Sequence, residues 1–217
     1  MLRRSWDKPE LFWAEVADQL FWYRRWDKVL DGGFPNFRYF IGGLSNVCYN
    51  LLDRHLVNNG DNRLALIWEG ENGERKFYTY RMLHAEVNRF ADALRNIAIK
   101  KEDPVAIYLP NLPETLISVL ACYRIGAIFN TVFSGFSTKA LRERIINYEP
   151  KLIITADAGY RRGVTLSQGK SGRGHKGHRE HQVGNRSSAC WNVSGYERRA
   201  RLVLERSDED LFRRIYA

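Results

Sequence analysis

From residue 64 onward, apolar positions alternate between short continuous runs and stretches with helical spacing. Leu64–Trp68 and Lys76–Tyr80 read as strands joined by the turn Gly70-Glu71-Asn72-Gly73. Arg81–Ile97 places Leu83, Val87, Phe90 and Leu94 on one side of a helix. Val105–Leu109 is a short apolar strand, Glu114–Tyr123 a helix carrying Leu116, Val119 and Leu120, and Ala127–Val132 another strand. Thr138–Ile146 and Leu152–Thr155 repeat the helix and strand once more. Strands that are apolar throughout, separated by helices, predict a mostly parallel sheet covered by helices.

The first sixty residues predict helices instead. Pro9 suits the first turn of a helix whose apolar positions include Leu11, Phe12, Val16 and Leu20. Asp31-Gly32-Gly33-Phe34-Pro35-Asn36 reads as a loop. Ser45 is placed to cap a second helix, with Val47, Leu51 and Leu52 inward and an end near Gly60. Trp13, Trp22 and Trp26 are expected to be packing anchors rather than a ligand cage.

Charge separates the end of the chain from the rest. Residues 1–160 hold 21 Lys and Arg against 19 Asp and Glu, a balance of +2. Residues 161–217 hold 13 against 6, a balance of +7 in a chain whose total is +9. Such a tail fits either an anionic partner or sequence never selected to fold. No apolar run reaches the ~18 residues of a membrane span, and Met-Leu-Arg-Arg-Ser-Trp-Asp has no secretory core. Cys48, Cys122 and Cys190 form no dense framework, which points to a reducing, cytoplasmic setting.

In a parallel sheet, ligands collect where strands end and loops begin. Two predicted loops stand there: Phe133-Ser134-Gly135-Phe136-Ser137 and Gly159-Tyr160-Arg161-Arg162-Gly163. Gly135 lets backbone approach a ligand closely. Arg161 and Arg162 suit phosphate oxygens, or equally a tight turn with two solvated arginines.

Several of these stretches resemble one family. Phe40-Ile41-Gly42-Gly43-Leu44-Ser45-Asn46-Val47-Cys48-Tyr49-Asn50, with Leu52-Asp53-Arg54-His55 after it, is similar to the amino-terminal region of acetyl-CoA and propionyl-CoA synthetases. So are Ala65-Leu66-Ile67-Trp68-Glu69-Gly70-Glu71, Val105-Ala106-Ile107-Tyr108-Leu109-Pro110, Val132–Ser137 and Ile154-Thr155-Ala156-Asp157. The resemblance runs from about Trp6 to Gly163. It implies a family in which ATP, with Mg, and a short carboxylate give an acyl-adenylate that CoA then attacks. It also implies that Gly135 and Arg161 lie near the CoA nucleotide, with Arg162 and Gly163 in the same loop. Val164 stands where the family usually carries a second basic residue, which weighs against full CoA affinity. The family's Thr/Ser/Gly-rich phosphate loop, its aromatic-Thr-Glu segment, its ribose-binding Asp and the carboxy-terminal domain with the catalytic Lys have no counterpart in these 217 residues. No catalytic residue is therefore assigned, and this chain alone is expected not to adenylate.

The expected organisation is α/β: a helical segment over 1–62, a partial α/β domain of the adenylate-forming type over 63–163, and a disordered or irregular basic tail over 164–217. In the tail, Gly169-Lys170-Ser171 lacks phosphate-loop spacing from Gly163. His175, His178 and His181 are too tag-like to assign a metal site. No aromatic platform accompanies the basic residues, so nucleic acid is not the expected partner. A displaced reading frame accounts for all three features. If each codon takes the last two bases of one residue and the first of the next, Lys170–Gln182 permits K-V-D-E-A-I-K-G-T-E-S-I-K. Asn192–Val203 likewise permits M-S-P-V-M-N-E-G-R-D-W-Y. Both resemble what acetyl-CoA synthetases carry next, in the same order, which places a single-nucleotide shift between about Gly163 and Gln168. Two other readings stand beside the enzyme: a CoA- or nucleotide-binding regulatory module, and a nucleic-acid binder acting through the tail. A sheet ending at Thr155 would expose an unpaired edge and aggregate.

Overall fold

The computed structural model describes residues 2–57, 60–156, 158–161, 164–167, 190–192 and 201–205 of the 217-residue chain. Its centre is a sheet in which β5 (Pro104–Tyr108) lies between two parallel neighbours, β6 (Ile128–Thr131) and β7 (Leu152–Thr155). Val105 stands opposite Phe129 on one side and Leu152 on the other.

Alternation along β5 sorts the core into two layers. Val105 and Ile107 face a large cluster with Leu152 and Ile154 from β7, together with Leu83, Val87, Phe90 and Leu94 of helix α4 (Tyr80–Asn96). Ile117, Leu120, Ala121 and Ile125 of α5 (Pro113–Ile125) complete that layer. Ala106 and Tyr108 face the other way, against Val132, Ile153, and Leu141 and Ile145 of α6 (Thr138–Tyr148). The apolar stripe predicted for α4 is thus the buried one. Thr79 caps this helix, its side chain accepting from the Met82 N–H. Helix α5 ends at Gly126, whose φ of 75° supplies the left-handed cap that turns the chain into β6. Before this layer, β3 (Leu64–Glu69) and β4 (Arg75–Thr79) form the predicted antiparallel hairpin, closed where the Gly73 N–H donates to the Gly70 carbonyl.

The amino-terminal segment departs from its predicted helical character. Helices α1 (Leu2–Asp7) and α2 (Pro9–Ala17) are followed by an antiparallel hairpin of β1 (Lys28–Gly33) and β2 (Asn36–Ile41). The residues read as a loop, Asp31–Asn36, mostly belong to these strands, and Phe34-Pro35 alone make the connection. Backbone pairing satisfied the polar groups that a loop would have left to water. In α2, Ala17 is buried, whereas Leu11 and Val16 are exposed, as is Leu20 just beyond the helix. In α3 (Val47–Leu51) the cap is Asn46, not Ser45: Asn46 accepts from the Tyr49 N–H, and the Ser45 hydroxyl donates to the Phe21 carbonyl. Cys48 and Leu52 point inward, while Val47 and Leu51 are exposed. Trp22 and Trp26 do anchor the segment, packed edge to face at 5.0 Å, with the Trp22 indole N–H donating to the Ala17 carbonyl.

The last described strands correct the loop expected at Gly159–Arg161 and the unpaired edge expected at Thr155. Gly159-Tyr160-Arg161 is not a loop but part of β8 (Ala158–Arg161), paired antiparallel with β9 (Val164–Ser167). The region expected to be irregular includes β10 (Cys190–Asn192) and β11 (Arg201–Glu205), and β11 pairs antiparallel with β7. The edge at Thr155 is therefore occupied, opposite Val203, because the continuous apolar run Leu202-Val203-Leu204 can supply a ladder as readily as any selected strand. The described sheet runs β10-β11-β7-β5-β6, leaving β6 at its edge.

Candidate functional site

The chain leaves β5 towards α5, on the large-cluster side of the sheet, and leaves β6 towards α6 on the opposite side. Adjacent strands whose connections part to opposite faces create a crevice at their carboxyl ends, the usual ligand position in an open parallel sheet. Tyr108 ends β5 and Thr131 ends β6, so the loop 132–137 begins at this crevice.

That loop is held at several points. The Val132 N–H donates to the Ile107 carbonyl at 2.8 Å, extending the ladder, and the Phe136 N–H closes a turn onto the Phe133 carbonyl at 3.1 Å. The Tyr108 hydroxyl donates to the Ser134 carbonyl at 3.2 Å. Phe133 and Phe136 meet edge to face at 5.7 Å, and the Arg144 guanidinium lies 4.2 Å from the Phe136 ring centroid. Ser137 caps α6, accepting from the Ala140 N–H at 3.3 Å. Gly135 stands at the exposed centre of this turn. Backbone there is open to a ligand, and no side chain of its own stands in the way.

Of the other sequence-derived positions, Arg161 ends β8 opposite Val164. Arg162, Gly163 and the Arg161 side chain lie outside the described residues, as do Gly169–Ser171 and His175, His178 and His181. The structure therefore describes Gly135 fully and Arg161 by its backbone.

A second polar constellation had no sequence signal, because its members are about seventy residues apart. Arg124, in the last turn of α5, makes a two-pronged bond to Asp53, at 2.9 Å and 2.7 Å. His84 Nε2 lies 3.3 Å from the same carboxylate. Asn46 adds hydrogen bonds from its amide to the Tyr123 and Arg124 carbonyls. Cys48 is wholly buried beside them, and burial outweighs the nearby Arg124 to push its thiol up to about 11. Burial pushes Cys122 up to about 12. Both thiols stay protonated near neutrality and are poor nucleophiles. This constellation clamps the start of α3 and the turn after it to the end of α5. Among the described residues no group of three His, Cys, Asp or Glu is arranged to hold a metal, and no helix is long and apolar enough to cross a membrane.

Residues 52–202 match the model of the AMP-binding enzyme family. The chain belongs to that family. Residues 1–51 match the model of the acetyl-coenzyme A synthetase N-terminus. The AMP-binding match reaches past Gly163, where the resemblance read from the residues had ended. Curated relatives agree with both models. An acetyl-coenzyme A synthetase of Deinococcus radiodurans is 49% identical over 166 residues, covering 76% of this chain and 26% of the relative. One of Leptospira biflexa is 50% identical over 172 residues, 78% of this chain and 26% of the relative. One of Chlorobaculum tepidum is 42% identical over 159 residues, 73% of this chain and 24% of the relative. The chain thus spans about a quarter of the length of the curated relatives it matches.

Proposed function

We propose that these residues are the front part of an AMP-forming acetate–CoA or propionate–CoA ligase. In the intact enzyme, ATP, Mg and the carboxylate yield an acyl-adenylate and pyrophosphate, and CoA then takes the acyl group with release of AMP. The supporting observation is the exposed Gly135 turn at the crevice between β5 and β6, in a chain similar along most of its length to acetyl-coenzyme A synthetases. In this reading Gly135, Arg161, Arg162 and Gly163 contact the CoA nucleotide: the glycines admit it and the arginines meet its phosphates. The organisation is a segment over 1–62, a partial α/β domain over 63–163 and an out-of-frame tail over 164–217. The setting is cytoplasmic.

The family's phosphate loop and its carboxy-terminal catalytic Lys, which would stabilise charge on the transferring phosphoryl region, have no counterpart in this sequence. Incubated with ATP, acetate and CoA it is expected to form no AMP above background; sustained acetate-dependent AMP formation would refute the assignment of the chemistry to missing parts. Titration with coenzyme A tests the binding half. Gly135→Leu should reduce affinity at least tenfold, and an unchanged affinity removes Gly135 from the site. The frame proposal has its own test. Deleting one nucleotide between codons 163 and 168 should extend the product into a longer chain with synthetase activity, and a prompt stop codon in the restored frame would count against it.

A further inference from the structure

The connections that leave parallel strands β5 and β6 part to opposite faces of the sheet, and one side chain of β5 reaches across to the loop that follows β6. Tyr108 is the last residue of β5 and 7% exposed. Its ring packs in the layer of Val132, Leu141, Ile145 and Ile153, and its hydroxyl donates to the Ser134 carbonyl at 3.2 Å. Ser134 immediately precedes Gly135. Its carbonyl would otherwise face the crevice mouth, where only solvent or a ligand could satisfy it.

We infer that Tyr108 is a positioning residue that sets the height and orientation of the Gly135 turn over the crevice; this rests on the proposed contact between Gly135 and the coenzyme. The far side of the loop is fixed through the Ser137 cap and the Arg144–Phe136 stack, both of which belong to α6 and its entry. On the Gly135 side, the Val132 N–H bond to the Ile107 carbonyl holds the start of the loop to the central strand, and Tyr108 carries that tie two residues further, to Ser134. Burial raises the phenol above its ordinary value of 10, so the donor proton remains in place throughout the neutral range. A ligand-facing turn held by a buried, permanently protonated donor presents its backbone pre-ordered, which lowers the ordering cost of binding.

The test compares the 217-residue chain with Tyr108→Phe, which keeps the ring and removes only the donor. Peptide-level hydrogen exchange over 133–137 is expected to accelerate about fivefold, the effect of roughly one net hydrogen bond, while peptides from β5 and α5 stay unchanged. Coenzyme A, titrated as the probe, is expected to bind about fivefold more weakly. Incorporating 4-aminophenylalanine at 108, an N–H donor of similar shape, should restore both readouts, which packing alone would not achieve. Leu141→Ala serves as the contrast: it should lower the melting temperature without a selective change over 133–137. Unchanged exchange in Tyr108→Phe overturns the inference whatever the coenzyme does. If exchange accelerates and neither chain binds coenzyme A, the positioning role stands and the coenzyme reading falls.

Discussion

The layer built from α4, α5 and β5–β7 and the segment before residue 57 draw on similar proportions of apolar residues, yet they bury them differently. In the first, aliphatic side chains close completely: Val87, Leu94, Val105, Ile107 and Ile154 are each at most 1% exposed. In the second, aromatic rings meet edge to face or tilted in a chain running through Trp22, Trp26 and Phe40, while Trp6 and Phe34 stay 80% and 91% exposed. Strands and helices with aligned apolar faces make a core by themselves. Short helices and a two-stranded hairpin do not, and are stable only when docked. The docking here is narrow, passing through Cys48, Leu52, Asn46 and the Asp53–Arg124 pair.

This contrast can be broken at graded points. Leu94→Ala should cost about 3 kcal/mol or more, by lost burial and a cavity between α4 and the sheet; denaturant melts followed by far-UV dichroism report it. A loss under 1 kcal/mol would mean that this layer is not the principal core. Arg124→Ala should cost about 2–3 kcal/mol, because it strands the Asp53 carboxylate in a partly buried place. Its signature is regional: exchange should rise over 45–55 while 104–108 remains protected. Uniform acceleration would show that the two regions unfold as one.

A smaller effect concerns pH. The Lys151 ammonium, then the Lys100 N–H, holds Asp103 below its ordinary value of 3.8. A depressed folded-state value means that the stabilisation is present above about pH 4 and fades as pH falls through the folded value. Asp103→Asn should therefore flatten that part of the acid limb of a melting-temperature profile and leave its neutral shape unchanged. An identical acid limb in both proteins would sink this assignment. Smallest of all, Phe34→Ala should shift stability by less than about 0.5 kcal/mol, since the ring touches little. A larger loss would show that the hairpin tip is covered in solution.

Legibility followed the same division. The α4 stripe, the apolar strands β5 and β7 and the Gly70–Gly73 turn could be read from spacing, because their partners lie on both faces of one sheet and period alone sets which side is buried. The β1–β2 hairpin was missed, since its Gly-Phe-Pro sequence carries a loop signature. The run Phe37–Ile41, with aromatics at 37, 39 and 40, was the available clue. The apolar positions of the first predicted helix included Leu11, Val16 and Leu20, which are exposed, and a single small residue, Ala17, is its buried one. Nothing local could have revealed Asp53 with Arg124 or Tyr108 with Ser134, because those pairs form only when distant elements close.

Sequence alone determined the family, the alternation of strands and helices from residue 64, and the position of Gly135 just beyond a strand. Each is a property of local pattern or of residue identity, which the chain carries before it folds. Tertiary structure decided that the connections of β5 and β6 part to opposite faces, that β11 occupies the edge of β7, and that Tyr108 reaches the Ser134 carbonyl. Those outcomes depend on which backbone edges and side chains meet across the sheet, a geometry set by packing rather than by neighbours in the chain.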